Sequence, residues 1–265
     1  MINAQTPSQT APPAADAIRV SKVSKRFKGH EVLRDIDFTV GRGQSVAVVG
    51  LNGAGKTTLL RALLGFVSVD TGVIELFGRP VKDPRSREHV AFLPEKLTLG
   101  PDLSGWRSLQ LLLGLRSMQA DRQACVELLG NLGFPVNQLD APAREYSKGM
   151  SQKIGLVAAM LGNAQLAVLD EPMSGLDPVA RRVMNVALQQ WREKGCGLLF
   201  TAHSFAGLEQ LADRLAIIHA RQLAFFGSPA ELLSRYGPRE KSVTGDADAL
   251  EQAFITCIET QMVPA

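Results

Sequence analysis

The segment Gly50-Leu51-Asn52-Gly53-Ala54-Gly55-Lys56-Thr57-Thr58 decides the fold. It follows Ser45-Val46-Ala47-Val48-Val49, an apolar run typical of a central strand that is covered on both faces. From Thr57 to Leu64 the apolar residues recur at the spacing of a helix. The spacing G-x-x-x-x-G-K-[ST] between a buried strand and a helix predicts a phosphate-binding loop.

The chemistry of this loop points to MgATP. Glycines let the backbone come close to phosphate oxygens, and the N–H groups and the helix N-terminus supply positive potential. Lys56 adds a full charge near the β and γ phosphates, and the Thr57 hydroxyl suits Mg²⁺. The alternative, a glycine-rich turn with an exposed lysine, does not account for the flanking strand and helix. The candidate nucleotide-binding residues are Gly50, Asn52, Gly53, Ala54, Gly55, Lys56, Thr57 and Thr58.

Strand-like and helical segments alternate along the rest of the chain. This alternation predicts an α/β fold with a mostly parallel sheet. Between Leu99 and Leu161 the strand-like runs vanish, so we expect a helical insertion there. The predicted strands contain Ile18 to Val23, Ile36 to Val40, Ser45 to Val49, Gly72 to Gly78, Val90 to Leu93, Leu166 to Leu169, Gly197 to Phe200 and Leu215 to Ile218.

Two adjacent carboxylates, Asp170 and Glu171, follow the apolar strand that ends at Leu169. The carboxyl end of a parallel sheet is where open α/β folds bind ligands. Asp170 is predicted to hold Mg²⁺, and Glu171 to polarise the attacking water as general base. An isolated Asp-Glu pair is more often a solvated turn, but the strand and the phosphate-binding loop favour the catalytic interpretation.

The composition excludes several classes of protein. With 265 residues, 45% hydrophobic, the chain can bury a sizeable core, and its net charge of +3 is too small to indicate nucleic-acid binding. Three widely spaced cysteines, Cys125, Cys196 and Cys257, predict buried reduced thiols. Every apolar run falls short of the roughly 20 residues of a membrane span.

The two ends of the sequence differ from the rest. Residues 1–16 are rich in Ala, Pro, Gln and Thr and lack the basic and apolar regions of a signal peptide, so we interpret them as the disordered leader of a cytoplasmic protein. Residues 237–265 are predicted to form a polar linker and an amphipathic helix, from Ala247 to Ile258.

Three further segments carry a resemblance to a known family. Tyr146-Ser147-Lys148-Gly149-Met150-Ser151-Gln152, ahead of Asp170, resembles the signature of the ABC ATPases. Ser174-Gly175-Leu176-Asp177-Pro178 is similar to their D-loop, and Thr201-Ala202-His203-Ser204 to their switch histidine. The resemblance implies a P-loop NTPase of the α/β class with a mostly parallel sheet core, an N-terminal antiparallel β subdomain and an inserted helical subdomain. The ATPase domain would span residues 17–236, with the helical subdomain at about 98–162.

The family resemblance also implies a mechanism. Two cassettes meet head to tail, so that Ser147 and Gly149 of one cap the ATP bound to the other. His203 would contact the γ-phosphate, and Asp177 would communicate across the dimer. Phe27 stands where an aromatic ring stacks on adenine, although a lone Phe is more often a core residue. One chain contains both faces of each site, so a homodimer suffices.

Two positions depart from the usual family pattern. Glu95 stands where a glutamine usually contacts Mg²⁺ and the attacking water, and an ionised carboxylate cannot donate a hydrogen bond to that water. We hypothesise that Glu95 is a metal ligand that tightens the Mg²⁺ dependence and couples the site to the membrane partner. Lys148 replaces a glycine of the signature, and the interpretations are a solvated lysine or an aid to phosphate binding.

The resemblance further implies a separate membrane permease, which would dock around Glu95 to Trp106 and hold the cassette at the cytoplasmic face of the membrane. The Leu-Pro-Glu and Ser-Lys-Gly-Met forms look most like cassettes of export-type systems. A DNA-repair ATPase would carry a long coiled coil, which the insertion is too short to form. A translation-type protein would carry two cassettes in one chain. A regulatory module that signals to a membrane partner without moving a solute stays open.

Overall fold

Two β-sheets and a set of helices make up the computed structural model, which describes residues 16–238 and 246–260. The predicted leader, apart from Asp16, and most of the predicted linker lie outside the described residues. Within the described residues the strands are β1 (Ile18–Phe27), β2 (His30–Val40), β3 (Ser45–Val49), β4 (Thr71–Leu76), β5 (Arg79–Pro80), β6 (Val90–Leu93), β7 (Leu166–Leu169), β8 (Gly197–Ala202), β9 (Arg214–His219) and β10 (Gln222–Gly227).

The first sheet is antiparallel and confirms the expected N-terminal β subdomain. Its strand order is β2-β1-β4-β5. Strand β1 pairs on one side with β2, placing Ile18 opposite Val40, and on the other with β4, placing Ile18 opposite Leu76. All three side chains are buried, because alternate residues of each strand face the core.

The second sheet confirms the mostly parallel core. Its order is β10-β9-β3-β8-β7-β6, and only β10 is antiparallel to its neighbour. Strand β3 is central, with all five residues buried. Its last residue, Val49, pairs with Ala202 of β8 and with Ile217 of β9. The carboxyl ends of β3, β7 and β8 therefore meet at one edge.

Helices cover the sheets and form the predicted insertion. Between β6 and β7 the structure consists of helices and turns, with one isolated bridge between Ser104 and Pro142. Three of these helices are capped by the side chain of the residue before them, which are Ser104, Asp121 and Ser147. The helices are α1 (Lys56–Leu63), α2 (Gly105–Gly114), α3 (Arg122–Asn131), α4 (Lys148–Leu161), α5 (Pro178–Glu193), α6 (Leu208–Leu211), α7 (Pro229–Tyr236) and α8 (Asp246–Thr260).

Helix α8 covers the run from Ala247 to Ile258 that is predicted to be an amphipathic helix. It packs on α6, α7 and β10. Its buried residues recur every three or four positions, as one face of a helix requires. They are Leu250, Ala253, Phe254, Cys257 and Ile258.

Strand β10, like the short strand β5, is an element that the sequence patterns did not predict. Its hairpin with β9 turns at Ala220 and Arg221, which have φ of 45° and 72°. Two-residue hairpins of this kind normally carry Asn-Gly or Asp-Gly, because both residues need positive φ. The sequence of this turn therefore lacks the Asn-Gly or Asp-Gly pair that normally indicates a hairpin. The Arg221 carbonyl accepts a hydrogen bond of 2.7 Å from the Arg34 N–H of β2, which holds the turn in place.

All three cysteines are buried and free, as predicted. Within residues 16–238 and 246–260, no helix has both the length and the apolar character that a membrane crossing requires.

Candidate functional site

The phosphate-binding loop joins β3 to α1 and has no room for side chains at two of its glycines. A Cβ on Gly50 would lie 2.4 Å from the Ile218 carbonyl oxygen. Gly55 has φ of 107°, and a Cβ there would lie 2.8 Å from the Val32 carbonyl oxygen. The backbone therefore wraps as closely as the predicted phosphate cradle requires.

Lys56 is buried, so the alternative of an exposed lysine in a turn is wrong. Its Nζ donates hydrogen bonds to the carbonyl oxygens of Gly50, at 2.7 Å, and Leu51, at 3.3 Å. Burial lowers the pKa of the ammonium group, and the charges of Glu171 and Asp170 partly offset this effect. The amine thus lies within the loop and near the two carboxylates.

A cavity of about 330 Å³ opens over this loop. Thr57 and Glu171 both line it, so a hydroxyl residue and a carboxylate residue border the space that phosphates would occupy. Its other lining residues are Val32, Asn52, Gly53, Ala54, Gly55, Lys56 and Thr58.

Thr201 organises the two carboxylates. Its Oγ1 donates to Oδ1 of Asp170 at 2.8 Å and accepts the Glu171 N–H at 2.7 Å. Asp170 is 8% exposed, and its own N–H donates to the Leu93 carbonyl oxygen at 2.8 Å. The carboxyl ends of β6, β7 and β8 are thereby connected at the site.

Glu171 and His203 face each other. Nε2 of His203 lies 2.7 Å from Oε2 of Glu171, within hydrogen-bond distance. Both residues also line a second cavity of about 160 Å³, bounded by α5 and the segment after β8. Since Glu171 lines both cavities, its carboxylate forms part of the wall between them.

The signature residues lie at the start of α4. Ser147 caps this helix, its Oγ accepting the Met150 N–H at 3.2 Å. A Cβ on Gly149 would lie 3.6 Å from Cδ2 of Leu176 in the D-loop segment. Neither Ser147 nor Gly149 is among the residues that line the phosphate cavity of the same chain.

Asp177 has a local structural role. It caps α5, and its Oδ1 accepts hydrogen bonds from the N–H groups of Val179 and Ala180, both at 2.9 Å.

Phe27 ends β1 with 43% of its surface exposed, so the core interpretation is wrong for this ring. Nζ of Lys25 lies 5.2 Å from the Phe27 ring centroid.

Glu95 contacts Lys148 and is not among the residues that line the phosphate cavity. Its Oε1 lies 3.3 Å from the Lys148 Nζ. The two residues that depart from the family pattern are therefore in contact with each other. Nε2 of the buried Gln152 also donates to the carbonyl oxygens of Pro94, at 2.9 Å, and Glu95, at 2.5 Å, which ties this loop to α4.

The residues at the loop fit Mg²⁺ bound together with a nucleotide. No group of three or more His, Cys, Asp or Glu side chains suited to a metal occurs among the described residues. Mg²⁺ does not need one, because it is commonly bound through one or two carboxylates, waters and substrate phosphates. Thr57 and Asp170 are the side chains that would hold it.

The sequence interpretation missed the role of Thr201. A hydroxyl at the carboxyl end of β8, after the apolar residues Gly197 to Phe200, was the available indication. Its two partners lie some 30 residues upstream, on the end of a neighbouring strand.

Comparisons with known proteins agree with this geometry. The family model described as ABC transporter matches residues 33–174. An uncharacterised ABC transporter ATP-binding protein of Nostoc sp. is 38% identical over 204 residues, which are 76% of this chain and 61% of that protein. A second one, from Synechocystis sp., is 34% identical over 77% of this chain and 58% of its own length. The chain thus spans about three fifths of these two relatives.

Other relatives are covered more fully. The Nod factor export ATP-binding protein I of Cupriavidus pinatubonensis is 33% identical over 247 residues, 91% of this chain and 75% of that protein. A solved ATP-binding subunit of an ABC transporter superposes with a TM-score of 0.79 at 28% identity, covering 90% of this chain and 99% of that one. The chain belongs to the ABC transporter family, as an ATP-binding subunit.

Proposed function

We propose that this chain hydrolyses ATP between two copies of itself and drives a separate membrane permease that exports a solute. The observation that carries the proposal is the position of Glu171. Its carboxylate lines the phosphate cavity within hydrogen-bond distance of His203. This position supports Glu171 as the general base, with His203 as its partner, for a water that attacks the γ-phosphate.

Each residue has a defined task in this proposal. The N–H groups of the loop and Lys56 bind the phosphates, and Glu171 accepts a proton from the attacking water. His203 donates a hydrogen bond to the γ-phosphate, for which its Nε2 must leave Glu171. Mg²⁺, when bound by Thr57 and Asp170, would neutralise phosphate charge. Phe27 presents an exposed ring to adenine.

Dimerisation is supported by the separation, within one chain, of the signature residues from the phosphate cavity. Ser147 and Gly149 line no part of the phosphate cavity of their own chain. A second copy, arranged head to tail, would bring them to the γ-phosphate. Asp177 shapes the start of α5 next to the segment that contacts Gly149, which suits its proposed role in communication across the dimer.

Transport is supported by the family and by the relatives named for Nod factor export. The permease would dock around Glu95 to Trp106, beside the helical insertion, and would hold the cassette at the cytoplasmic face of the membrane. The second candidate is a regulatory module that uses the same ATP switch without moving a solute. A reconstituted complex that hydrolyses ATP yet moves no candidate solute would favour the module.

The variant Glu171→Gln tests hydrolysis. It keeps the shape of the side chain but removes the base, so turnover should fall by about 10²- to 10⁴-fold. MgATP binding should persist, and the ATP-bound dimer should accumulate in light scattering. Glu193→Gln, at the end of α5, is the matched control and should behave as the wild type. Full turnover in Glu171→Gln, or full activity in a monomer, would refute the mechanism.

A further inference from the structure

Helix α8 touches the segment that carries His203. Phe205, two residues after His203, is 4% exposed, and Phe254 of α8 is 7% exposed. Their ring centroids lie 5.2 Å apart with the ring planes inclined by 47°. This separation is within the range of favourable aromatic pairs, so the contact adds to the apolar area that both rings bury.

Residues 203–207, between β8 and α6, contain one buried side chain, that of Phe205. Strand β8 ends at Ala202, and the side chain of His203 is 46% exposed. Ser204 is exposed, and its Oγ accepts a local hydrogen bond from the Ala206 N–H at 3.3 Å. Phe205 is therefore the first fully buried side chain after the strand, and its position sets the path of the backbone that carries the imidazole.

Phe254 is itself firmly placed. It lies on the buried face of α8 between Leu250 and Cys257, both 0% exposed. The same helix packs on α7. Helix α8 also packs on α6, which begins three residues after Phe205.

We propose that Phe254 is a positioning residue for ATP hydrolysis, which sets through Phe205 the position of the backbone from which His203 reaches Glu171 and the γ-phosphate. The inference rests on the proposed function, because it assigns His203 a part in turnover. Helix α8, which lies outside the nucleotide-binding loops, thereby sets the position of His203. Loss of the Phe254 ring lets the Phe205 segment shift and moves the imidazole away from its working position.

The test uses the full-length chain and a double-mutant cycle. Phe254→Ala should lower kcat about 10- to 100-fold, the cost of displacing a reacting group by about 1 Å. The Kd for MgATP should stay unchanged, because the phosphate-binding loop is untouched. In a His203→Ala background the same substitution should reduce the residual single-turnover rate by less than about twofold, since residues acting as a unit are not additive.

A structural control separates positioning from folding. Cys257→Ala removes packing from the same face of α8 and should keep wild-type kcat, although its Tm falls. Phe254→Leu, which keeps apolar volume without the ring, serves if Phe254→Ala does not unfold cooperatively, and should show a smaller loss of kcat. The imidazole NMR resonances should move for His203 in the Phe254 variants and stay in place for the chain's other three histidines.

The outcomes distinguish this inference from the proposed function. Wild-type kcat in both Phe254 variants, or an equal fractional loss with and without His203, would overturn the positioning role. Wild-type turnover in His203→Ala would instead overturn the assignment of the site.

Discussion

Glu171 has φ of 51°, in the left-handed region that residues with a Cβ rarely occupy. Such a conformation costs about 1 to 3 kcal/mol and persists only where its surroundings enforce it. Here the Thr201 hydroxyl accepts a hydrogen bond from the Glu171 N–H, and Nε2 of His203 lies within hydrogen-bond distance of the Glu171 carboxylate. In this conformation Glu171 lines the phosphate cavity, where the proposed base is needed.

Thr201→Val tests this support at the level of one residue. The substitution keeps the shape and removes the hydroxyl that joins Asp170 to Glu171. It should destabilise the protein by about 1 to 3 kcal/mol, because it leaves buried polar groups unpaired. Turnover should fall more than MgATP binding. Thr201→Ser keeps the hydroxyl and should retain both properties, as measured by urea unfolding and steady-state kinetics. Equal behaviour of the two variants would contradict this account.

At the scale of elements, α4 connects the signature serine to the Glu95 loop. It is capped by Ser147, binds the Glu95 loop through Gln152, and packs closely against that loop at Gly155. A Cβ on Gly155 would lie 2.5 Å from Cδ2 of Leu97 and 2.7 Å from Cδ1 of Leu93. The glycine allows the helix to approach these two leucine side chains closely, at the expense of helix propensity.

A pair of glycine substitutions should give effects of opposite sign. Gly155→Ala should lower the free energy of unfolding by about 1 to 2 kcal/mol, because overpacking outweighs the gain in propensity. Gly130→Ala, in α3, meets no atom within 4 Å and should raise it by about 0.5 to 1 kcal/mol. Chemical denaturation of both variants checks the prediction. A stabilising Gly155→Ala would show that α4 does not pack tightly on the loop.

The Glu95–Lys148 pair belongs to the same scale. The two side chains are 50% and 41% exposed, so their coupling should be only about 0.2 to 1 kcal/mol and should fade in high salt. If Glu95 also binds Mg²⁺, Lys148 competes for its carboxylate, and Lys148→Met should raise the apparent Mg²⁺ affinity. Titration of the ATPase rate with Mg²⁺ measures this, and Glu95→Gln should remove the effect. An unchanged affinity in both variants would end the metal assignment of Glu95.

At the scale of the whole molecule, the core spans both sheets and the helices, and it includes all three thiols. Burial raises the pKa of the Cys196 thiol from 9 to about 12 and also raises the pKa of Cys125 and Cys257. A buried thiol keeps its proton where the unfolded chain loses it. The folded state therefore binds more protons above pH 9, and stability must fall as the pH rises towards 12.

Alkaline unfolding tests this sign. The free energy of unfolding should decrease above pH 9, with Cys196 contributing up to about 1.4 kcal/mol per pH unit. Cys196→Ala should show a flatter dependence than the wild type in urea titrations at each pH. An identical slope in the two proteins would mean that the thiol is not protected from ionisation in the folded state.

The sequence by itself determined the features that depend on local spacing. The phosphate-binding loop, the predicted strands, the insertion and the run at α8 follow from periodicity and glycine placement, which act between near neighbours. The tertiary structure alone decided which distant residues meet: Thr201 with Asp170, Glu95 with Lys148, and Phe205 with Phe254. Such contacts depend on how whole helices and strands pack together. That packing sums many small interaction energies between segments that lie far apart in the sequence. The same holds for β10, whose turn has positive φ and accepts a hydrogen bond from β2.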